Sequence, residues 1–220
     1  MGPLFTGRPA AGASMTRESF GSVWRAGGDG QPLIVVFSPH PAAMAWLASS
    51  IAVSLPAAVV VASSATDPRA TVAAASHAAS SLGADPERLA IIGESDAAGA
   101  ALLACASGAG AAHRLALISP HLPDEPDRPS EVSFDEVPPV LLQFSRDGVG
   151  AVAITALERR LRGAGVAVRA IDYARLADHW ARYPRAVRGS ARGLDDLVAF
   201  LRRGFAVEST FGVIPGWDLH

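Results

Sequence analysis

Lysine is absent: all 19 basic residues of this 220-residue chain are arginine. That excludes a Schiff-base lysine and a phosphate-loop lysine, and with them the chemistries that depend on either. Cysteine is nearly absent as well. Cys105 stands alone, so no internal disulfide and no cysteine-built zinc site can form, and a reducing, cytoplasmic setting is expected. Charge is scarce, at 18% of residues against 50% hydrophobic ones, with a mean hydropathy of +0.25. Such a chain is too apolar for disorder and can bury one large core. With 21 acidic residues and a net charge of −2, there is no basic field to grip nucleic acid or an anionic membrane, so neither is expected as a partner.

Other absences concern targeting. Met1 to Ser14 lack a positive start followed by an apolar core, so no signal peptide is expected there. Residues 1–18 read as a loose leader within which Met15 could be a start, and 19–220 as one domain. From Leu33 to Thr66 the chain is uncharged apart from His40, but Pro39, Pro41, Pro56 and the pairs Ser49-Ser50 and Ser63-Ser64 interrupt the run. It reads as strand, helix and strand of a buried sheet rather than as a membrane span. What is abundant is Ala, Arg, Gly and Pro, the coding bias of a GC-rich bacterial genome.

Short, continuous, often β-branched apolar runs predict strands over Ser19–Arg25, Pro32–Phe37, Ala57–Ala62, Arg88–Ile92, Arg114–Ile118, Val140–Phe144 and Val166–Ile171. Helical spacing of Ala and Leu predicts helices over Met44–Ser54, Ala70–Leu82, Ala97–Ala106, Gly150–Arg162 and Gly193–Arg203. This alternation implies an α/β domain with a doubly wound, mainly parallel sheet, whose chemistry sits at the carboxyl ends of the strands. Pro120 to Pro139, with six prolines and six acidic residues, cannot be a helix and reads as a surface connector.

In the run from Arg88 through Gly93, Glu94 and Ser95 to Leu103, an apolar strand turns directly into a small-residue helix. That is the pattern of a nucleophile elbow. The sharp turn strains the serine, small residues two before and two after it let the backbones approach, and Gly93 and Ala97 meet that need. The helix N-terminus behind Ser95 offers backbone N–H groups to a developing oxyanion. A serine capping a helix after a glycine turn is the structural alternative.

Three further words carry a resemblance: Ala84-Asp-Pro-Glu-Arg-Leu-Ala-Ile-Ile-Gly-Glu-Ser, Pro138-Pro-Val-Leu-Leu-Gln-Phe-Ser-Arg-Asp, and Gly163-Ala-Gly-Val-Ala-Val-Arg followed by Ala177-Asp-His-Trp. Over roughly residues 30 to 205 the chain resembles the α/β-hydrolase superfamily, most closely esterases of the hormone-sensitive-lipase type, with a minimal cap. The resemblance implies Ser95 as nucleophile, Asp147 as the acid, with Asp124 as its substitute, and His179 as the general base, in the chain order such hydrolases use. No cofactor and no metal are expected either, since no His pair stands at metal spacing, no glycine fingerprint follows the first strand and lysine is absent. His77 and His113 read as structural.

The chain departs from that family in the loop after the early strand. Where such esterases carry His-Gly-Gly-Gly, this chain has Ser38-Pro-His-Pro-Ala-Ala-Met44, and its prolines have no N–H to give. Among His40, Ala42 and Ala43, the donor expected is Ala42, which would complete an oxyanion hole with Asp96 N–H. This loop resembles that of stand-alone thioesterases as much as the lipase loop. His40, Pro41, His121 and Trp180 are expected to line the substrate side. The expected function is hydrolysis of carboxylic esters through an acyl-enzyme on Ser95, with a thioesterase or acyl-transferring or cyclising enzyme of specialised metabolism, or a catalytically silent hydrolase-fold binding protein, as alternatives. Oligomeric state, including a homodimer, is left open.

Overall fold

The computed structural model describes residues 8–108, 111–121, 133–145, 150–173, 180–182 and 188–206. Strands β1 (Ser14–Glu18), β2 (Gly21–Arg25), β3 (Gln31–Ser38), β4 (Ala58–Ser63), β5 (Ala84–Glu94), β6 (Arg114–Ile118), β7 (Val140–Phe144) and β8 (Val168–Asp172) form one eight-stranded sheet in the order β1-β2-β4-β3-β5-β6-β7-β8. β2 runs antiparallel to β1 and β4, and the remaining pairs are parallel. The helices are α1 (Ala45–Ser54), α2 (Pro68–His77), α3 (Ala98–Ala106), α4 (Ala151–Gly163) and α5 (Arg188–Ala206).

Every residue of β3 is buried, because helices cover both faces of the sheet. Leu33, Val35 and Phe37 point to one face with Leu89, Ile91, Leu115 and Leu117, under Val72, Ala98, Ala101, Ile154 and Leu157 of α2, α3 and α4. Ile34 and Val36 point to the other with Ala90, Ile92 and Val59, under Trp46, Leu47 and Ile51 of α1 and Leu194, Leu197 and Leu201 of α5. Strands apolar on both sides explain the continuous hydrophobic runs that make them legible. The chain winds outward from β3 to β4, then returns to place β5 on the other side of β3. This reversal puts the topological switch point between β3 and β5, and ligands of doubly wound sheets bind at the carboxyl ends of the strands at such points.

The expected loose leader is corrected at its end. Ser14–Glu18 pairs along its whole length with β2, from Ser14 opposite Arg25 to Glu18 opposite Gly21, and Ala10 N–H bonds Ser49 Oγ at 2.8 Å. All five residues of β1 are exposed, so backbone pairing rather than burial holds the strand and no hydrophobic period marks it. Ser19 and Phe20 are the turn between β1 and β2 rather than the start of a strand. The second helix ends at His77, and a short 3-10 turn over Ser80–Leu82 leads into Gly83 at φ +64°. Most of the expected acidic connector, residues 122–132, lies outside the described residues.

Candidate active site

β5 ends at Glu94 and leads to Ser95 at the carboxyl edge of the sheet, by the switch point, and a 3-10 turn over Ser95–Ala97 leads into α3. Ser95 has φ +56° and is almost fully buried, a conformation that costs a non-glycine residue of order 1–3 kcal/mol and persists only where the surroundings impose it. The surroundings are close. A Cβ on Gly93 would stand 2.8 Å from Ala98 Cα and 2.7 Å from Ala101 Cβ, so only glycine lets β5 and α3 meet this tightly. The Ser95 carbonyl accepts from the N–H groups of Ala98, at the end of the turn, and of His121 at 3.1 Å. The strand-to-helix elbow read from the sequence is thus present, with the serine at its apex.

Two N–H groups face candidate oxyanion roles by elimination. Asp96 N–H lies in the first turn, with no carbonyl a turn behind it. After β3, Pro41–Met44 forms a 3-10 turn. There His40 N–H donates to Ser38 Oγ at 3.0 Å and Ala43 N–H to His40 O at 2.9 Å. Of the three candidate donors in this loop, only Ala42 N–H has no partner among the described residues.

Among the described residues the Asp96 side chain neither caps α3 nor meets an arginine. Its Oδ1 lies 2.9 Å from His121 Nδ1, both side chains being more than half exposed. His121 therefore holds the elbow twice, by its backbone on Ser95 and by its ring on Asp96. His40 is exposed and Pro41 half-buried at the start of the 3-10 turn, so both stand on the rim. Trp180 is a correction. It is 1% exposed, and a Cβ on Gly193 of α5 would press on its ring at 2.8 Å, so it is core rather than a substrate contact. Asp147, Asp124 and His179 lie outside the described residues.

What surrounds those positions is described. β7 ends at Phe144, and Ser145, the next residue, is buried. His179 is bonded to Trp180, the first residue of a 3-10 turn over Trp180–Arg182. β8 lies three strands from β5, about 14 Å away, yet this turn returns to β5. Arg182 Nε and Nη2 reach Glu94 Oε1 at 3.0 and 2.9 Å. Glu94, fully buried, was not singled out in the sequence, and neither was Arg182. A charged residue at the end of an apolar strand is a visible signal for the first. For the second there is none, because its partner is 88 residues distant.

At the far edge Tyr173 O–H donates to Asp196 Oδ2 at 2.8 Å and accepts from Gln143 Nε2 at 3.0 Å, binding the ends of β7 and β8 to α5. Burial, then the Asp196 carboxylate, push the phenol well above its ordinary range. Cys105 on α3 is buried, and burial raises its thiol to about 12. Among the described residues no three His, Cys, Asp or Glu side chains converge as a metal site requires, and no helix is long and apolar enough to cross a membrane.

Strand order, the position of the antiparallel strand, helices on both faces and a strained serine after β5 define the α/β-hydrolase fold. Solved structures of hormone-sensitive-lipase-type esterases share it. An esterase from the bacterial hormone-sensitive lipase family superposes with a TM-score of 0.73 at 15% identity, covering 92% of this chain and 88% of that one. A variant of the esterase rPPE gives 0.75 at 14% identity, over 89% of this chain and 84% of that one. The Pyrobaculum calidifontis esterase gives 0.70 at 12% identity, over 89% and 86%. No protein-family model matches the sequence, and no curated protein does.

Proposed function

We propose that the chain is a serine hydrolase of small carboxylic esters. The observation that carries the reading is Ser95 at φ +56°, forced to the apex of the β5–α3 turn by the glycine contact at Gly93. In this reading His179 takes the Ser95 Oγ proton as Oγ bonds to the substrate carbonyl, and Asp147 orients the imidazole and stabilises its charged form. Negative charge on the carbonyl oxygen falls to Asp96 N–H and Ala42 N–H. Collapse expels the alcohol, which takes the proton from His179 and leaves an acyl ester on Ser95. Water then attacks it, gives a proton to His179, and the acid departs as that proton returns to Ser95. The esterase structures that share the fold support the reaction class.

A second reading, thioester hydrolysis or acyl transfer, has support in the loop after β3. Its prolines leave Ala42 as the one free donor among the described residues of that loop, unlike a glycine loop with several. A fluorophosphonate probe tests the common step. One adduct is expected on the Ser95 peptide by mass spectrometry, lost in Ser95→Ala. No adduct on the wild type favours a silent binding protein. Turnover of matched oxygen and thiol esters then separates the two acyl chemistries.

A further inference from the structure

We infer that Arg182 and Glu94 form a positioning device that holds the Trp180–Arg182 turn, the elbow and the oxyanion loop in one register, an inference that rests on the proposed roles of Ser95 and His179. Glu94 is the last residue of β5, one peptide bond from Ser95, and is 0% exposed. A carboxylate in that position is costly unless fully partnered. Its described partners come from two other strand ends. Ser38, ending β3, donates Oγ–H to Oε2 at 2.8 Å. Arg182, on the turn that follows β8, contacts Oε1 through Nε at 3.0 Å and through Nη2 at 2.9 Å, and Oε2 through Nη2 at 3.3 Å.

Each partner passes the constraint on. Ser38 Oγ also accepts from His40 N–H at 3.0 Å and Ser38 O from Ser64 N–H at 3.1 Å, which fixes the entry to the Pro41–Met44 turn and so to Ala42 N–H. On the other side, the Trp180–Arg182 turn is gripped at both ends, by Arg182 on Glu94 and by Trp180 buried against Gly193. His179 is the residue that precedes this gripped turn in the chain. The planar guanidinium fork sets direction as well as distance, which a point charge cannot. The pair also cancels the Glu94 charge beside the site where negative charge develops on substrate. A displacement of about 1 Å at a reacting group can lower a rate by about 100-fold.

The test compares wild type, Arg182→Met, Arg182→Lys and the double variant Glu94→Gln/Arg182→Met. The readouts are kcat and KM on an activated short-chain ester, the rate of fluorophosphonate labelling at Ser95, the melting temperature, and amide hydrogen exchange. A positioning role predicts that Arg182→Met lowers kcat and the labelling rate by about 10- to 100-fold, with KM changed by less than about threefold. It also predicts faster exchange in 180–182 and 38–43 but not in α3. Arg182→Lys should recover part of the loss. The double variant, in which neither member of the Glu94–Arg182 pair is charged, should regain melting temperature but not kcat. Should Arg182→Met fail to fold, Arg182→Lys decides, with a loss of about threefold or more expected. Wild-type kcat and labelling in a folded Arg182 variant, or full recovery of kcat in the double variant, overturns the inference and leaves the hydrolase reading standing. A wild type that takes no adduct at Ser95 removes the hydrolase reading itself, and the positioning role with it.

Discussion

His121 Nδ1 lies 2.9 Å from Asp96 Oδ1, and the His121 backbone N–H bonds the carbonyl of Ser95. The Asp96 carboxylate, next to Ser95, is therefore turned toward the segment after β6 and paired there. With its side chain exposed and engaged, its effect on an oxyanion is screened. Asp96→Ala is expected to change the rate on an activated ester by less than about threefold, since exposed pairs contribute little and the backbone N–H survives the substitution. An increase of about tenfold or more would mean that the charge faces the oxyanion.

Gly93→Ala tests the strain at the elbow. The new Cβ would press on Ala98 Cα and Ala101 Cβ at 2.8 and 2.7 Å, and one of these atoms belongs to the backbone. Overpacking of this kind costs about 1–3 kcal/mol. Thermal unfolding should shift down by roughly 3–10 °C, and phosphonate labelling at Ser95 should slow. An unchanged melting point would show that α3 can retreat without cost.

For Cys105 the expectation is an inert thiol. Burial raises it from 9.0 to about 12, so at neutral pH it is neither exposed nor ionised, and a thiol reagent should label it only after denaturation. The folded state holds this proton more tightly than the unfolded one. Its contribution to stability is thus fully present below about pH 9 and lost as pH rises toward 12. Urea midpoints across that window should fall more steeply for wild type than for Cys105→Ala. Equal slopes would exclude the contribution.

The triad assignment is checked by substitution of residues whose roles come from the resemblance. Asp147→Asn is expected to lower kcat by about 10⁴-fold at neutral pH with little loss of stability, as loss of the correct tautomer does. His179→Ala should lower it at least as far, and Asp124→Asn should do little. If Asp124→Asn is the damaging change, the acid follows β6 instead of β7.

The elbow is legible in the sequence because everything it needs is local: an apolar strand, a glycine two before the serine and a small-residue helix after it. The apolar runs of β3 to β7 are legible for the same reason, as burial on both faces leaves no polar alternation to confuse them. β1 escapes notice because its five residues are exposed and only pairing holds them. Trp180 reads as a substrate contact next to His179, but a tryptophan beside a functional residue has no local mark that tells core from cleft. Its burial depends on Gly193 of α5, which the chain reaches only after thirteen more residues.

What the amino-acid sequence determined by itself was the layer architecture and the place of the strand-to-helix elbow at Ser95, since hydrophobic period and turn chemistry act over a few neighbours. Tertiary structure alone decided which polar groups meet. Glu94 finds Arg182 88 residues later and Ser38 56 residues earlier, and Asp96 finds His121 across the end of β6. Those pairings follow from the reversal of winding between β3 and β5 and from the return of the chain after β8. Only a folded sheet brings such distant carboxylates, guanidinium and imidazole to one edge, where burial makes an unpaired Glu94 charge too costly to leave alone, while Asp96 and His121 pair in the open.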